Sequence, residues 1–146
     1  MTTKSIDKPP ALQRPLPTVD ESNRPFWDGA RAGKLRMQKC CGCNHVRYPI
    51  SDMCPDCLSG EFEWQTLSGR GKVFSTIVFH QVYHAAFATE VPYNVSLIQL
   101  DEGPRMFSNV IGTAPSKVKV GDVVEVVFDQ LSESVALPRF RIARAG

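Results

Sequence analysis

Two cysteine pairs, Cys40-x-x-Cys43 and Cys54-x-x-Cys57, stand ten residues apart, with Pro55 inside the second pair. A two-residue gap lets both thiolates of a pair face one ion while backbone N–H groups point at the sulfurs, and two such knuckles complete a tetrahedral site. Tetrahedral sulfur suits Zn(II) or a single iron, and four thiolates leave no position open to substrate. The spacing therefore predicts a structural site, with one Zn(II) per chain held by Cys40, Cys43, Cys54 and Cys57. Cys41 is left over, because a Cys41-x-Cys43 pairing lacks the two-residue gap of the second knuckle; it reads as a free or partly buried thiol. His45 lies near the first pair, but with four thiolates present it reads as a surface or outer neighbour of the site. Asn44 and Leu58 stand where many knuckles place glycine, a departure that Asn tolerates well and Leu less well.

Other chemistry is scarce. His80 and His84 lie four apart in or beside a strand, and no neighbouring Ser, Cys or carboxylate completes a nucleophile and base. There is no glycine-rich phosphate loop, no GxSxG elbow and no paired-carboxylate motif, so no catalytic residue is assigned. The 146 residues, 42% apolar and 22% charged, have the composition of a soluble globular protein. The longest apolar run, Ala85-Ala86-Phe87-Ala88, is far short of the roughly 20 residues of a membrane-spanning helix. Met1 to Asp7 lacks the apolar core of a secretory signal, which predicts a cytoplasmic, reducing setting where five cysteines are metal ligands before they are disulfides.

The elements that must carry the knuckles follow from pattern. Residues 1–19 hold Pro9, Pro10, Pro15 and Pro17 and read as an extended proline-rich arm. Residues 20–35 read as a helical segment: Asp20, Ser22 or Asn23 can cap its start, Pro25 suits a first turn, Phe26 and Ala30 share a face, and Gly33 stops it. Residues 36–67 hold the cysteines and a strand from Phe62 to Leu67. From residue 68 to 146 the chain reads as all-β: Lys72 to Tyr83, Tyr93 to Leu100, Arg105 to Ile111, Val123 to Phe128 and Val135 to Ile142, with turns at Asp101–Pro104 and Lys119–Asp122. Five strands, the first bending at Ser75-Thr76 to serve two sheets, suit a small closed barrel of the OB type. In Tyr93 to Leu100 the apolar positions move from odd to even after Leu97, which predicts a bulge or a strand buried on both faces.

The ordered string Pro25-Phe26-Trp27, Leu35 leading into Cys40-x-x-Cys43, Arg47-Tyr48-Pro49, Cys54-Pro55-x-Cys57, Ser68-Gly69-Arg70-Gly71-Lys72-Val73-Phe74-Ser75, Val91-Pro92-Tyr93 and Leu100-Asp101-Glu102-Gly103 closely resembles the acyl-CoA-associated zinc-ribbon/OB-fold family also called domain of unknown function thirty-five. The resemblance covers about residues 20 to 130. It implies a mainly β fold: an N-terminal helix or helical hairpin, a rubredoxin-like zinc ribbon and a C-terminal five-stranded OB-fold barrel. It also implies a partner, a thiolase-like protein subunit that carries the catalytic residues for Claisen, retro-Claisen or retro-aldol chemistry on CoA thioesters. The small subunit would support that partner and help to shape the acyl-CoA site at or near the shared interface.

Charge separates the competing readings. The net charge of +2 is too weak to imply nucleic-acid binding, and residues 68–146 set eight basic against seven acidic side chains, so a nucleic-acid-binding ribbon-plus-OB module is the weaker alternative. A rubredoxin-like iron electron carrier is a third reading, without a redox-partner motif to support it. From Arg24 to Arg47 six basic residues face only Asp28, a local +5 that suits an anionic partner or a solvated face. Phe26 and Trp27 beside it fit either an interface anchor or a staple between helix and ribbon.

Overall fold

The computed structural model describes residues 15–143, so most of the proline-rich arm lies outside the described residues. The chain enters through a turn organised by Asp20, whose Oδ1 accepts from the Ser22 and Asn23 amides at 2.9 and 3.1 Å and from the Ser22 hydroxyl at 2.6 Å. These donors, the Ser22 hydroxyl foremost, hold its carboxyl below the usual carboxylate range. Helix α1 (Arg24–Arg31) is shorter than the 20–35 segment expected. Pro25 sits in its first turn, where a missing N–H costs nothing, and Gly33 ends the segment at φ +76°. Phe26, Gly29 and Ala30 form the buried face.

That face packs on the first of three strands in a small antiparallel sheet, in the order β2-β1-β3. Strand β1 (Arg36–Cys40) runs between β2 (Val46–Arg47), where Gln38 pairs with Arg47, and β3 (Phe62–Thr66), where Cys40 pairs with Phe62. This is the frame of the cysteine knuckles.

The second sheet begins with β4 (Arg70–Phe79), reached through Ser68-Gly69-Arg70-Gly71. Both glycines there are sterically required. Gly69 has φ +76° and a Cβ there would collide with the Val126 side chain, and a Cβ on Gly71 would collide with the Gln99 carbonyl. Strand β4 pairs with β5 (Tyr93–Leu100) over its length and with β8 (Val123–Gln130) only at Arg70–Lys72, with a bulge between Val73 and Ser75. The bend expected at Ser75-Thr76 is thus placed at Phe74.

Strand β5 corrects the predicted change of phase. Asn94, Ser96, Ile98 and Leu100 are all buried and the odd positions half-buried, so its alternation is unbroken and the bulge belongs to its neighbour. Asn94 and Ser96 occupy core positions as polar residues.

Strands β6 (Arg105–Ser108) and β7 (Val110–Ile111) are two halves of one strand interrupted at Asn109. β6 pairs antiparallel with β5, and β7 pairs parallel with β9 (Ala136–Ile142), which pairs antiparallel with β8. The order β6-β5-β4-β8-β9-β7 therefore closes on itself, giving the five-stranded OB-type barrel. Asn94 completes the closure: its Oδ1 accepts from the Val110 N–H at 2.8 Å, its Nδ2 donates to the Val110 carbonyl at 2.6 Å, and the Ser96 hydroxyl donates to Oδ1. Phe140, Ile98, Val73, Val124 and Leu100 fill the interior, and Phe26, Leu35, Met37 and Leu67 join them in one continuous core.

Candidate metal centre

The four paired cysteines converge. Their sulfurs all lie within 4.8 Å of one another, with Cys40 Sγ 3.5 Å from Cys57 Sγ and Cys43 Sγ 3.6 Å from Cys54 Sγ. A tetrahedron with metal–sulfur bonds of about 2.3 Å has edges of about 3.8 Å, so the spacing fits one tetrahedral ion. Cys40 and Cys54, the first cysteine of each pair, are buried, while Cys43 and Cys57 face outward.

The two knuckles are built alike. Cys40 N–H donates to the His45 carbonyl and Cys54 N–H to the Ser59 carbonyl, at 2.8 and 2.9 Å. Asn44 N–H returns to the Cys40 carbonyl and Leu58 N–H to the Cys54 carbonyl. Each turn closes on a left-handed residue, Asn44 at φ 64° and Leu58 at φ 65°. The two residues that depart from glycine thus adopt the glycine conformation, and Leu58 does so with an exposed side chain.

Electrostatics shows why such a cluster calls for a cation. The Cys43 amide foremost, with the Gly42 amide, draws the Cys40 thiol down to about 6. At Cys43 the His45 amide pulls the same way, but desolvation and the neighbouring thiols outweigh it and the group is pushed up to about 12. Cys54 is lowered, by the Cys57 amide first, and Cys57 is raised: the Ser59 amide lowers it, but the Cys40 thiol and burial prevail. Four negative sulfurs in contact repel, so lowered and raised thiols alternate around the cluster, and a divalent ion removes that obstacle.

Neighbouring residues fix the knuckles in space. His45 Nδ1 lies 3.1 Å from Asp56 Oδ2, tying one knuckle to the other from outside the sulfur cluster. Cys41 is exposed and stands apart from the four, its N–H bonded to the Glu61 carbonyl. Sequence reasoning missed a clamp inside the ribbon. Arg47 is buried at 3%, donates from Nη2 to the Ser51 carbonyl at 2.7 Å and from Nε to Gln38 Oε1 at 3.1 Å, and lies against the Phe62 ring. Gln38 Oε1 also accepts from Ser51 N–H, so the clamp sets the loop that leads to Cys54. Its Nη1 has no hydrogen-bond partner among the described residues. The signal available was that Arg47 alternates with Val46 on a short strand; the local charge obscured it.

In the barrel, His84 Nδ1 accepts from the Ala86 amide at 3.0 Å, capping a short 3-10 turn, and His80 is exposed just past the end of β4. Phe26 is buried in the core at 3%, edge-on to Trp27 and beside Tyr48, which fits a staple between helix and ribbon, while Trp27 itself is half-buried. The barrel also bears a cavity of about 480 Å³ at its Asn94–Val110 closure, walled by Phe87, Tyr93, Ile111, Leu137 and Arg139 among others.

Comparison with known proteins places this architecture. Residues 27–63 match the ChsH2 rubredoxin-like zinc ribbon domain and residues 64–129 the ChsH2 C-terminal OB-fold domain. A solved chain of the Ltp2-ChsH2(DUF35) aldolase superposes with a TM-score of 0.79 at 34% identity, over 88% of this chain and 100% of that one. The chain belongs to the DUF35 family. Among DUF35 relatives, a "DUF35 domain-containing scaffold protein" of Methanocaldococcus jannaschii is 36% identical over 96 residues, 65% of this chain and 67% of the relative. The benzoylsuccinyl-CoA thiolase subunit BbsA of Thauera aromatica is 33% identical over 96 residues, 66% and 64%. A "probable enoyl-CoA hydratase alpha subunit" of Thermomonospora curvata is 38% identical over 144 residues, 97% of this chain. The chain spans only 44% of that relative's length. No helix among the described residues is long and apolar enough to cross a membrane.

Proposed function

We propose that this chain is a non-catalytic accessory subunit of a thiolase-like enzyme acting on CoA thioesters, in Claisen, retro-Claisen or retro-aldol chemistry. The observation that carries the reading is the match to the whole DUF35 chain of a two-component aldolase, ribbon and barrel together. A thiolase subunit among the relatives points the same way. So does a four-sulfur cluster with no position open for substrate.

In this reading Cys40, Cys43, Cys54 and Cys57 hold one structural Zn(II), and the chain divides into a helical segment (20–35), a ribbon (36–67) and a barrel (68–146). The ion would supply cross-linking of the two knuckles, while Arg47, Gln38 and His45 orient the loops that bear the thiols. The complex works in the cytoplasm, with acyl-CoA at or near the shared interface. The cavity beside Asn94 and Arg139 is where this chain has room to contribute to that site.

The test is co-expression with the thiolase-superfamily proteins of the source organism, followed by gel filtration and by CoA-thioester cleavage or condensation with and without this chain. The expected result is a stable complex whose activity or solubility depends on the small subunit, with one zinc per chain by elemental analysis. A partner that never associates and is fully active alone would overturn the reading.

A further inference from the structure

Inward positions of β4, β5 and β6 fill the barrel, yet the outward positions are not the polar ones that a solvated sheet face carries. Across three strands Ser75, Leu97 and Phe107 stand side by side, and Ile77 and Val95 form the next row. Phe74, on the bulge, joins them from the same side. Phe107 is 70% exposed, Ile77 55% and Phe74 47%, so this is an apolar field left open to water.

One row further along stand Lys72, Gln99 and Arg105. Arg105 lies over the Phe74 ring, 3.8 Å from its centroid, and its Nε donates to Gln99 Oε1 at 2.7 Å. Among the described residues neither Lys72 nor Arg105 forms an ion pair, and none of these outward rows contains a carboxylate.

We infer that the outer face of β4, β5 and β6 is the surface on which the thiolase-like subunit docks, meeting it with an apolar patch and setting carboxylates opposite Lys72 and Arg105. The inference rests on the accessory-subunit reading and deepens it by naming the face. Aromatic anchors beside an arginine, with uncompensated cations at the rim, are the composition in which binding energy concentrates. A single-stranded nucleic acid fits less well. It requires free aromatic platforms along a cationic groove, whereas Arg105 already covers Phe74 and the neighbours of Phe107 are aliphatic.

The experiment uses the co-expressed complex and measures its dissociation constant. Phe107→Glu is expected to weaken association by at least about 30-fold. Arg105→Glu is expected to weaken it by about tenfold and to flatten its salt dependence. Met53→Glu, at a 53% exposed position in the ribbon and on none of these three strands, serves as the control and leaves binding unchanged. Metal content and thermal unfolding of each isolated variant verify the fold, and Ile77→Lys provides a second probe should Phe107→Glu misfold. If the wild-type chain binds and both Phe107→Glu and Ile77→Lys bind equally well, the face is misassigned while the accessory reading stands. If the wild-type chain does not bind, that reading itself falls, and this inference with it. Oligonucleotide binding that Phe107→Glu abolishes would overturn the proposal in favour of a nucleic-acid face.

Discussion

Between Arg36 and Thr66 three short strands leave their connecting loops to be gathered by four sulfurs, whereas between Arg70 and Ile142 the strands wrap until the last meets the third. Of the ribbon's large apolar side chains Met37 is fully buried, and Val46, Tyr48, Ile50 and Trp64 are half-buried against a core that is continuous with the barrel's. The barrel closes with Phe140, Ile98 and Val124 inside and with backbone pairing at β7 and β9. One region thus closes around four sulfurs, the other on packing and hydrogen bonds. Their stabilities should answer to different insults.

The largest expected effect is removal of the ion. Cys54→Ser deletes a buried ligand, and structural zinc contributes apparent free energies of about 10–16 kcal/mol in zinc-finger peptides, so the ribbon has nothing to replace it. We expect loss of metal by elemental analysis and loss of amide protection across residues 36–66. Protection of β5 should persist. Collapse of β5 protection in the same variant would show that the shared Leu35 and Met37 bind both regions into one cooperative unit.

A second prediction sharpens the contrast through pH. In the metal-free protein Cys43, at about 12, and Cys57, also raised, carry protons near neutrality, and an arriving ion must displace both. Metal affinity should therefore fall as pH falls, by at least about 100-fold per unit near pH 7. Cys40, held at about 6, adds a third proton below that value and steepens the fall. Competition with a zinc-binding dye across pH measures the slope; a flat profile would contradict it. The barrel, which uses no thiol, should keep its β5 amide protection over the same range.

The barrel is broken instead at Asn94. In Asn94→Leu the Val110 N–H and carbonyl lose their buried partners, a cost of about 2–3 kcal/mol. Denaturant unfolding should show that loss with metal content unchanged. Loss of metal in this variant would mean that the closure of the barrel also sets the ribbon.

Asn94 also shows what the sequence could and could not disclose. The cysteine pairs were legible because thiolate coordination demands both residue type and spacing, and the strands because β-branched runs and turn residues bracket them. The polar Asn94 and Ser96 made Tyr93 to Leu100 read as a strand that changes phase after Leu97; the core accepts them because Val110 and Thr76, on neighbouring strands, supply their hydrogen bonds, a pairing of individual atoms that the pattern of apolar residues does not disclose. The same long-range pairing decides that Arg47 is internal and not part of a basic surface, and that Phe26 faces Tyr48 and the core. Helix α1 fell short of its expected span because Asp20 and Asn23 bond to each other and build a turn in place of a first helical turn.

The smallest effect should be at Cys41, and its smallness is informative. Cys41 sits between two ligands' worth of chemistry, adjacent to Cys40 and two residues from Cys43, so a site that selected thiols by proximity alone would take it. The turn geometry excludes it: Cys41 N–H is spent on the Glu61 carbonyl, and its exposed side chain stands outside the cluster while Cys40 points in. Cys41→Ser should therefore retain full metal content and shift stability by no more than about 0.5 kcal/mol. A thiol titration of the metal-loaded wild-type protein should find a single reactive group, and Cys41→Ser should remove it. Loss of metal in that variant would instead show that the first knuckle uses Cys41, and the likeness between the two turns, from Cys40 to Asn44 and from Cys54 to Leu58, would no longer describe how the ion is held.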